Sequence, residues 1–123
     1  MDSIDTKTPD EKPPEFDFET VYANNSLLEL SVYDLKILFG QIEQHTGRTV
    51  VGWHTAVTMP WMQAKILSYF LRLQLSWYEK SYGSITVPEN VRPPKPEIPA
   101  DANPAAREYY EWAQKVHEEI FGA

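Results

Sequence analysis

Cysteine is absent from the 123 residues. That excludes disulfides, thiolate metal sites and cysteine nucleophiles, and it fits a reducing compartment. Glycine is scarce, five against ten prolines, so much of the chain cannot be helix or strand interior and the ordered part is shorter than the chain. No uninterrupted apolar run approaches the roughly 18 residues of a membrane span. The first 19 residues are acidic, where an export signal is basic and then apolar. These features predict a soluble, cytoplasmic protein with no membrane partner. Basic charge is also short, 11 Lys and Arg against 18 Asp and Glu, for a net −7. Residues 1–19 carry −5, residues 20–87 carry +1 and residues 88–123 carry −3. A nucleic-acid binder concentrates Lys and Arg on one face, and no such patch is visible, so no nucleic-acid partner is expected.

What the chain does have is apolar periodicity, 42% hydrophobic and 13% aromatic residues. Residues 1–19, with Pro9, Pro13 and Pro14, lack it and read as an acidic disordered tail that buries too little to offset its backbone entropy. From Thr20 the pattern alternates. Leu28, Leu30 and Val32 share one face, then Leu35, Ile37 and Phe39, then Val51, Trp53, Thr55, Val57 and Met59, each the period-two signature of a half-buried strand. Asn24 and Asn25 interrupt the first strand as a bulge or turn, and a turn falls at His45-Thr46-Gly47. The short connections make an antiparallel meander.

Pro60 suits the first turn of a helix that runs to Tyr82 and is capped by Gly83. On it Met62, Ile66, Phe70, Leu73 and Trp77 form the stripe expected to pack on the sheet, and Ala64, Leu67, Leu71, Leu75 and Tyr78 form a second apolar flank. Lys65, Ser68, Arg72, Ser76 and Glu79 are polar. The apolar arc covers roughly two thirds of the circumference, more than the ~100° one packing surface needs. Ile85 and Val87 fit a short fourth, edge strand. Residues 88–103 then hold five prolines, with Pro104 following, and read as a stiff polyproline linker. Asn103-Pro104 is a cap and first turn for a last amphipathic helix over residues 104–123, with Tyr109, Trp112, Val116 and Ile120 on its apolar side.

Val21-Tyr22-Ala23-Asn24-Asn25, the strand Asp34-Leu35-Lys36-Ile37-Leu38-Phe39-Gly40, Met59-Pro60, the pair Ala64-Lys65 and the closing run Tyr78-Glu79-Lys80-Ser81-Tyr82-Gly83-Ser84-Ile85 together resemble domain-of-unknown-function family 3467. The likeness spans Thr20 to Pro88. It implies a bacterial or phage-associated protein with a meander followed by one long helix, and it implies no activity. The family's usual helix start is Ser-Pro; Met59 stands in the serine's place, which leaves Thr58 as the expected cap. In topology alone the order of elements is also similar to the export chaperones typified by SecB, which implies the holding of extended peptides.

Reactive chemistry finds little support. His45, His54 and His117 have no spacing that sets two on one turn or one strand face, so they read as structural or surface histidines. Glu29 and Asp34 flank a strand connection and read as solvated turn charges, since no apolar pocket separates their acidities. Ser31, Ser68, Ser76 and Ser81 lack a glycine-flanked elbow, and no glycine-rich loop precedes a helix. No catalytic, cofactor or metal residue is assigned, and an enzyme would need His54 gathered with a carboxylate. Trp53, Trp61, Tyr69, Phe70, Trp77, Tyr78 and Tyr82 suit both a core and an interface.

The sequence thus predicts an α+β protein: a three- or four-stranded antiparallel meander followed by one long packed helix in residues 20–87, plus the C-terminal helix on its linker. The expected function is a non-enzymatic, oligomeric adaptor or regulatory subunit, a dimer first. The alternatives are a peptide-holding chaperone and, behind it, a small enzyme or a single-strand binder. Ala64, Leu67, Leu71, Leu75, Tyr78, Tyr109, Trp112, Val116 and Ile120 are the interface candidates, open to a second copy or to a protein or peptide partner. The last helix docks on its own chain, on a second copy or on another protein.

Overall fold

The computed structural model describes residues 18–122, without the side chain of His45. Residues 1–17, most of the acidic tail read above, and Ala123 lie outside the described residues. The elements follow in the order β1 (Asn25–Leu30), β2 (Asp34–His45), β3 (Arg48–Pro60), α1 (Trp61–Tyr82) and α2 (Pro104–Phe121). This is an α+β protein with a three-stranded antiparallel sheet ordered β1-β2-β3. The chain forms two compact units, Met1–Phe70 and Leu71–Ala123, described separately below.

In the first unit the alternation of each strand is brought into register with its neighbour. Leu28 lies opposite Ile37 and Ile37 opposite Val57, while Leu30, Leu35 and Met59 form the adjoining row. Residues directly opposite share a face, so these six side chains make one apolar surface. Leu35 at its centre, 8% exposed, is the one buried apolar side chain among the described residues. Glu29 opposes Lys36 on the other face, carboxylate and ammonium 3.5 Å apart.

Both turns of the meander follow local chemistry. Between β1 and β2 the Ser31 hydroxyl oxygen accepts the Tyr33 and Asp34 amides at 3.1 and 3.0 Å, and the hydroxyl donates to the Asp34 carboxylate at 3.0 Å. Asp34 is thus a turn-closing group, half of a serine–aspartate clasp. Between β2 and β3, Gly47 takes a φ of 75°, where a side chain would strain the backbone. Asn24 extends the ladder past the start of β1: its amide donates to the Gly40 carbonyl at 3.0 Å, and its side-chain oxygen accepts the Ile42 amide at 2.8 Å.

One register feature departs from simple alternation. Phe39 opposes Thr55 but Gly40 opposes Trp53, so His54 is an extra residue on β3. A bulge of one residue exchanges the faces on its two sides. Val51 and Trp53 therefore stand on the face opposite Thr55, Val57 and Met59, not beside them as the uninterrupted pattern predicts. A Cβ on Gly40 would come within 2.8 Å of both the Trp53 ring and the Gly52 carbonyl. Glycine is required there because the indole crosses the backbone of β2.

The helix starts where β3 ends. Pro60 remains in the ladder opposite Asp34 and Thr58 opposite Lys36, so Thr58 stays in the sheet and α1 begins at Trp61. What ties the helix start to the meander is the Trp61 indole N–H, which donates to the Ser31 carbonyl at 2.9 Å. Beyond it, Met62, Ile66, Tyr69 and Phe70 are exposed. The stripe expected to pack on the sheet does not cover it.

In the second unit α1 ends as the sequence predicts, with Gly83 at φ 96° and its amide on the Glu79 carbonyl at 2.9 Å. The Glu79 carboxylate also accepts the Ile85 amide at 2.8 Å. That bond draws residues 83–88 back toward the helix end, and the expected fourth strand at Ile85 and Val87 is not formed. The linker then runs against one face of α2. Gln114 donates to the Pro96 carbonyl and His117 Nε2 to the Pro93 carbonyl, each at 2.8 Å, and Lys95 pairs with Glu118 at 2.5 Å. A carbonyl only accepts, so the His117 Nε2 carries a proton in that bond. Asn103 caps α2, its side chain accepting the Ala106 amide at 2.8 Å, and Pro104 follows at the first position.

Two tests follow from these contacts. Gly40→Ala is expected to destabilise the protein by about 1–3 kcal/mol in urea melts, with a shift in Trp53 emission, because the added methyl meets backbone and indole together. An unchanged midpoint would show that the ring does not lie over Gly40. The Lys95 ammonium holds the Glu118 carboxyl below its usual range by hydrogen bond and charge. A pKa lowered in the folded protein means the pair contributes above the ordinary carboxylate value and is lost as pH falls through the lowered one. Lys95→Met is therefore expected to move the Glu118 titration upward in carboxyl-detected NMR, and an unmoved titration would exclude the pair in solution.

Candidate interaction surface

The interface candidates fall on three surfaces. In the first unit, Ala64 and Leu67 are half-buried on α1. In the second, Leu71, Leu75 and Tyr78 lie side by side and, with Tyr82 and Ile85, line a groove of about 600 Å³. Spacings of four, three and four residues repeat once per helical turn, which is why these side chains form a continuous strip. Tyr78 and Tyr82 pack ring on ring at 5.0 Å along one side of it, as an i, i+4 pair does. Tyr82 continues the helical spacing of the flank, and Ile85, beyond the helix, is the addition that periodicity did not supply. Ile85 reaches the groove only because Glu79 holds its amide, and a carboxylate six residues upstream of a chain reversal is the one local signal for that.

The third surface is the outer face of α2. The linker occupies the inner face, where Ala106, Tyr110, Ala113, Gln114, His117 and Phe121 are half-buried. This orientation leaves Tyr109, Trp112 and Ile120 outward and 66%, 62% and 66% exposed, with Val116 between them half-buried. The sequence placed these four on the apolar side, and the linker turns that side away from itself.

The core stripe expected on α1 is exposed throughout, at Met62, Ile66, Phe70, Leu73 and Trp77. Of the expected flank, Ala64 and Leu67 are half-buried and Leu71, Leu75 and Tyr78 are exposed. Lys80 lies 5.6 Å over the Trp77 ring, a cation on an aromatic face that leaves the ring in solvent. Among the described residues the sheet also has two open edges, the outer sides of β1 and β3.

The residues considered for reactive chemistry serve as structural ties. The His54 ring bonds the Thr55 hydroxyl at 2.7 Å through Nδ1 and donates from Nε2 to the Tyr22 carbonyl at 2.9 Å, so it anchors the segment preceding β1 across the bulge. Ser68 and Ser76 donate to carbonyls three residues earlier, as helical serines do. Among the described residues no three His, Asp or Glu side chains gather as a metal set. No helix there is long and apolar enough to cross a membrane.

No curated protein and no solved structure matches the chain. The family model for Protein of unknown function (DUF3467) matches residues 1–87. That stretch takes in the meander with its Asn24 extension and serine–aspartate clasp, α1 and its Gly83 cap, and it reaches back through the acidic start. The chain belongs to that family.

Proposed function

We propose that this protein is a non-enzymatic, oligomeric interaction module, an adaptor or regulatory subunit that works through apolar surfaces in the cytoplasm. The observation that carries the reading is the imbalance of burial: Leu35 is the one buried apolar side chain among the described residues, while large apolar side chains stand exposed on two faces of α1 and on α2. Each of these side chains is worth about 1.5–3 kcal/mol when taken out of water. Folding must offset a conformational entropy of roughly 1–2 kcal/mol per residue, so a chain that leaves them exposed lacks the means to hold itself together. Monomers rarely expose large contiguous apolar patches; such patches mark interfaces. A further copy of the chain is the partner always present in stoichiometric amount, and a dimer is the simplest closed assembly.

A second reading is that the protein holds extended peptides. It is favoured by the two open sheet edges, since a strand edge offers main-chain donors and acceptors to a peptide of any sequence. An aggregation assay separates the two: a holdase keeps a denatured client soluble near one-to-one, and an adaptor leaves it to aggregate.

Light scattering coupled to size exclusion on the full chain is expected to give a mass of at least twice 14.2 kDa. Leu71→Glu or Tyr78→Glu is expected to reduce that mass to a single chain while circular dichroism retains most of the helix signal. A wild-type monomer would sink the proposal. Complete unfolding of both variants would place these residues in a core and not at an interface.

A further inference from the structure

The groove on α1 and the outer stripe of α2 are matched in length, spacing and charge. Leu71, Leu75, Tyr78 and Tyr82 span twelve residues of α1, and Tyr109, Trp112, Val116 and Ile120 span twelve of α2. Each strip is therefore roughly 16 Å long and repeats at the spacings that let one helix pack along another. The charged residues of α1 along the groove are Arg72, Glu79 and Lys80, net +1. Those of α2 are Arg107, Glu108, Glu111, Lys115, Glu118 and Glu119, net −2. Both surfaces belong to one compact unit, and both are exposed in the single chain, so neither covers the other there.

From this we infer that α2 is an exchanged element: the Tyr109–Trp112–Ile120 face of each copy lies in the Leu71–Tyr82 groove of a second copy, and the contact is made twice in a two-fold dimer. The inference rests on the oligomeric reading above and names its partner surface. A second copy's α2 fits the groove better than a second copy's α1, because pairing the groove segment of α1 with itself sets +1 against +1, whereas α2 brings −2. The exchange sets unlike charges side by side, which fixes partner and register. The area is sufficient. Five groove residues and three stripe residues at roughly 100 Å² each, counted for two reciprocal contacts, cover on the order of 1,600 Å², the size of a standard stable interface. The stiff proline linker suits the role, since it holds α2 by its inner face and keeps the apolar face turned outward. Reciprocal exchange of an identical element is a common route to dimers.

The absence of cysteine makes crosslinking a direct test. Gln74 lines the groove, and Glu108 and Glu119 are exposed on α2, so replacing them spares the apolar side chains themselves. Full-length chains bearing Gln74→Cys are co-expressed with chains of a different tag length bearing Glu119→Cys or Glu108→Cys, then treated with a short bismaleimide. The expected result is a product containing one chain of each kind, through Glu119→Cys if the helices run antiparallel and through Glu108→Cys if parallel. Trp112→Glu in both chains is expected to abolish it. Crosslinking of Gln74→Cys to itself would overturn the inference in favour of α1 against α1. A Gln74→Cys/Glu119→Cys or Gln74→Cys/Glu108→Cys double variant that closes within one chain would overturn it in favour of docking in cis. Light scattering on the same samples separates the two levels. An oligomer without the mixed product removes the exchange and leaves the oligomeric reading, whereas a single-chain mass removes both.

Discussion

Water contact along α1 is the constraint on which the rest of this protein depends. A 22-residue helix with apolar side chains around most of its circumference cannot be stable in isolation on propensity alone, because nucleation is costly and propagation gains little per residue. Helices of this kind form because something covers them. The sheet has the right apolar face, built from Leu28, Leu30, Leu35, Ile37, Val57 and Met59, yet within the first unit α1 leaves it uncovered and is tied at its start by the Trp61 indole. The meander supplies hydrogen bonds between its strands and little burial. A structure of that description lacks surface to pack against, and the proposed interaction role rests on that lack more than on any single residue.

The second unit handles the same shortage differently. The prolines of the linker cannot donate, but their carbonyls can accept, and α2 uses this: Gln114 and His117 reach Pro96 and Pro93. Within the linker the Pro88 and Pro99 carbonyls close turns on the amides of Val91, Arg92 and Ala102, and the Pro93 and Pro96 carbonyls between them are left for α2, as in a polyproline stretch that bonds none internally. The exposed Lys95–Glu118 pair adds little stability of its own and serves to set the rotation of α2 about its axis. Rotation is what matters, since it decides whether the aromatic side of α2 meets the linker or faces outward.

Local chemistry was legible in the sequence. Three strands, the turn at Gly47, the helix end at Gly83 and the Asn103-Pro104 start of α2 each depend on residues within a few positions of one another. The apolar residues of each strand found the same face because period two survives wherever pairing is regular. The His54 bulge was not legible, since an extra residue on one strand is visible only once its partner is known, and it moved Val51 and Trp53 to the other face. Gly40 was for the same reason an unremarked glycine until Trp53 was placed across it. The largest miss was the division of α1 into a core stripe and an interface flank. Periodicity reports how much of a helix is apolar, not which element covers which side, and here, among the described residues, the stripe is exposed and only Ala64 and Leu67 of the flank are half-buried. Of the candidate surface, the α1 strip and the α2 stripe were readable from spacing alone. Ile85 was not, because its place depends on a single bond to Glu79.

Affinity and selectivity come from different residues in the proposed exchange. Tyr78, Tyr82 and Trp112 supply aromatic area, and aromatic side chains gain similarly from any apolar groove, so they do not choose among partners. The choice falls to charge. Exposed ion pairs are individually worth only about 0–1 kcal/mol, too little to hold a dimer together, but a net excess of one sign on α1 and of the other on α2 separates the exchanged pairing from the like-charged one. The acidic character of residues 88–123 therefore has a positional role beyond solubility: it makes α2 a poor partner for itself and a good one for α1. An α1 that is weakly basic within an acidic chain is the complement this arrangement needs, and residues 20–87, the one stretch with a positive balance, contain all of it.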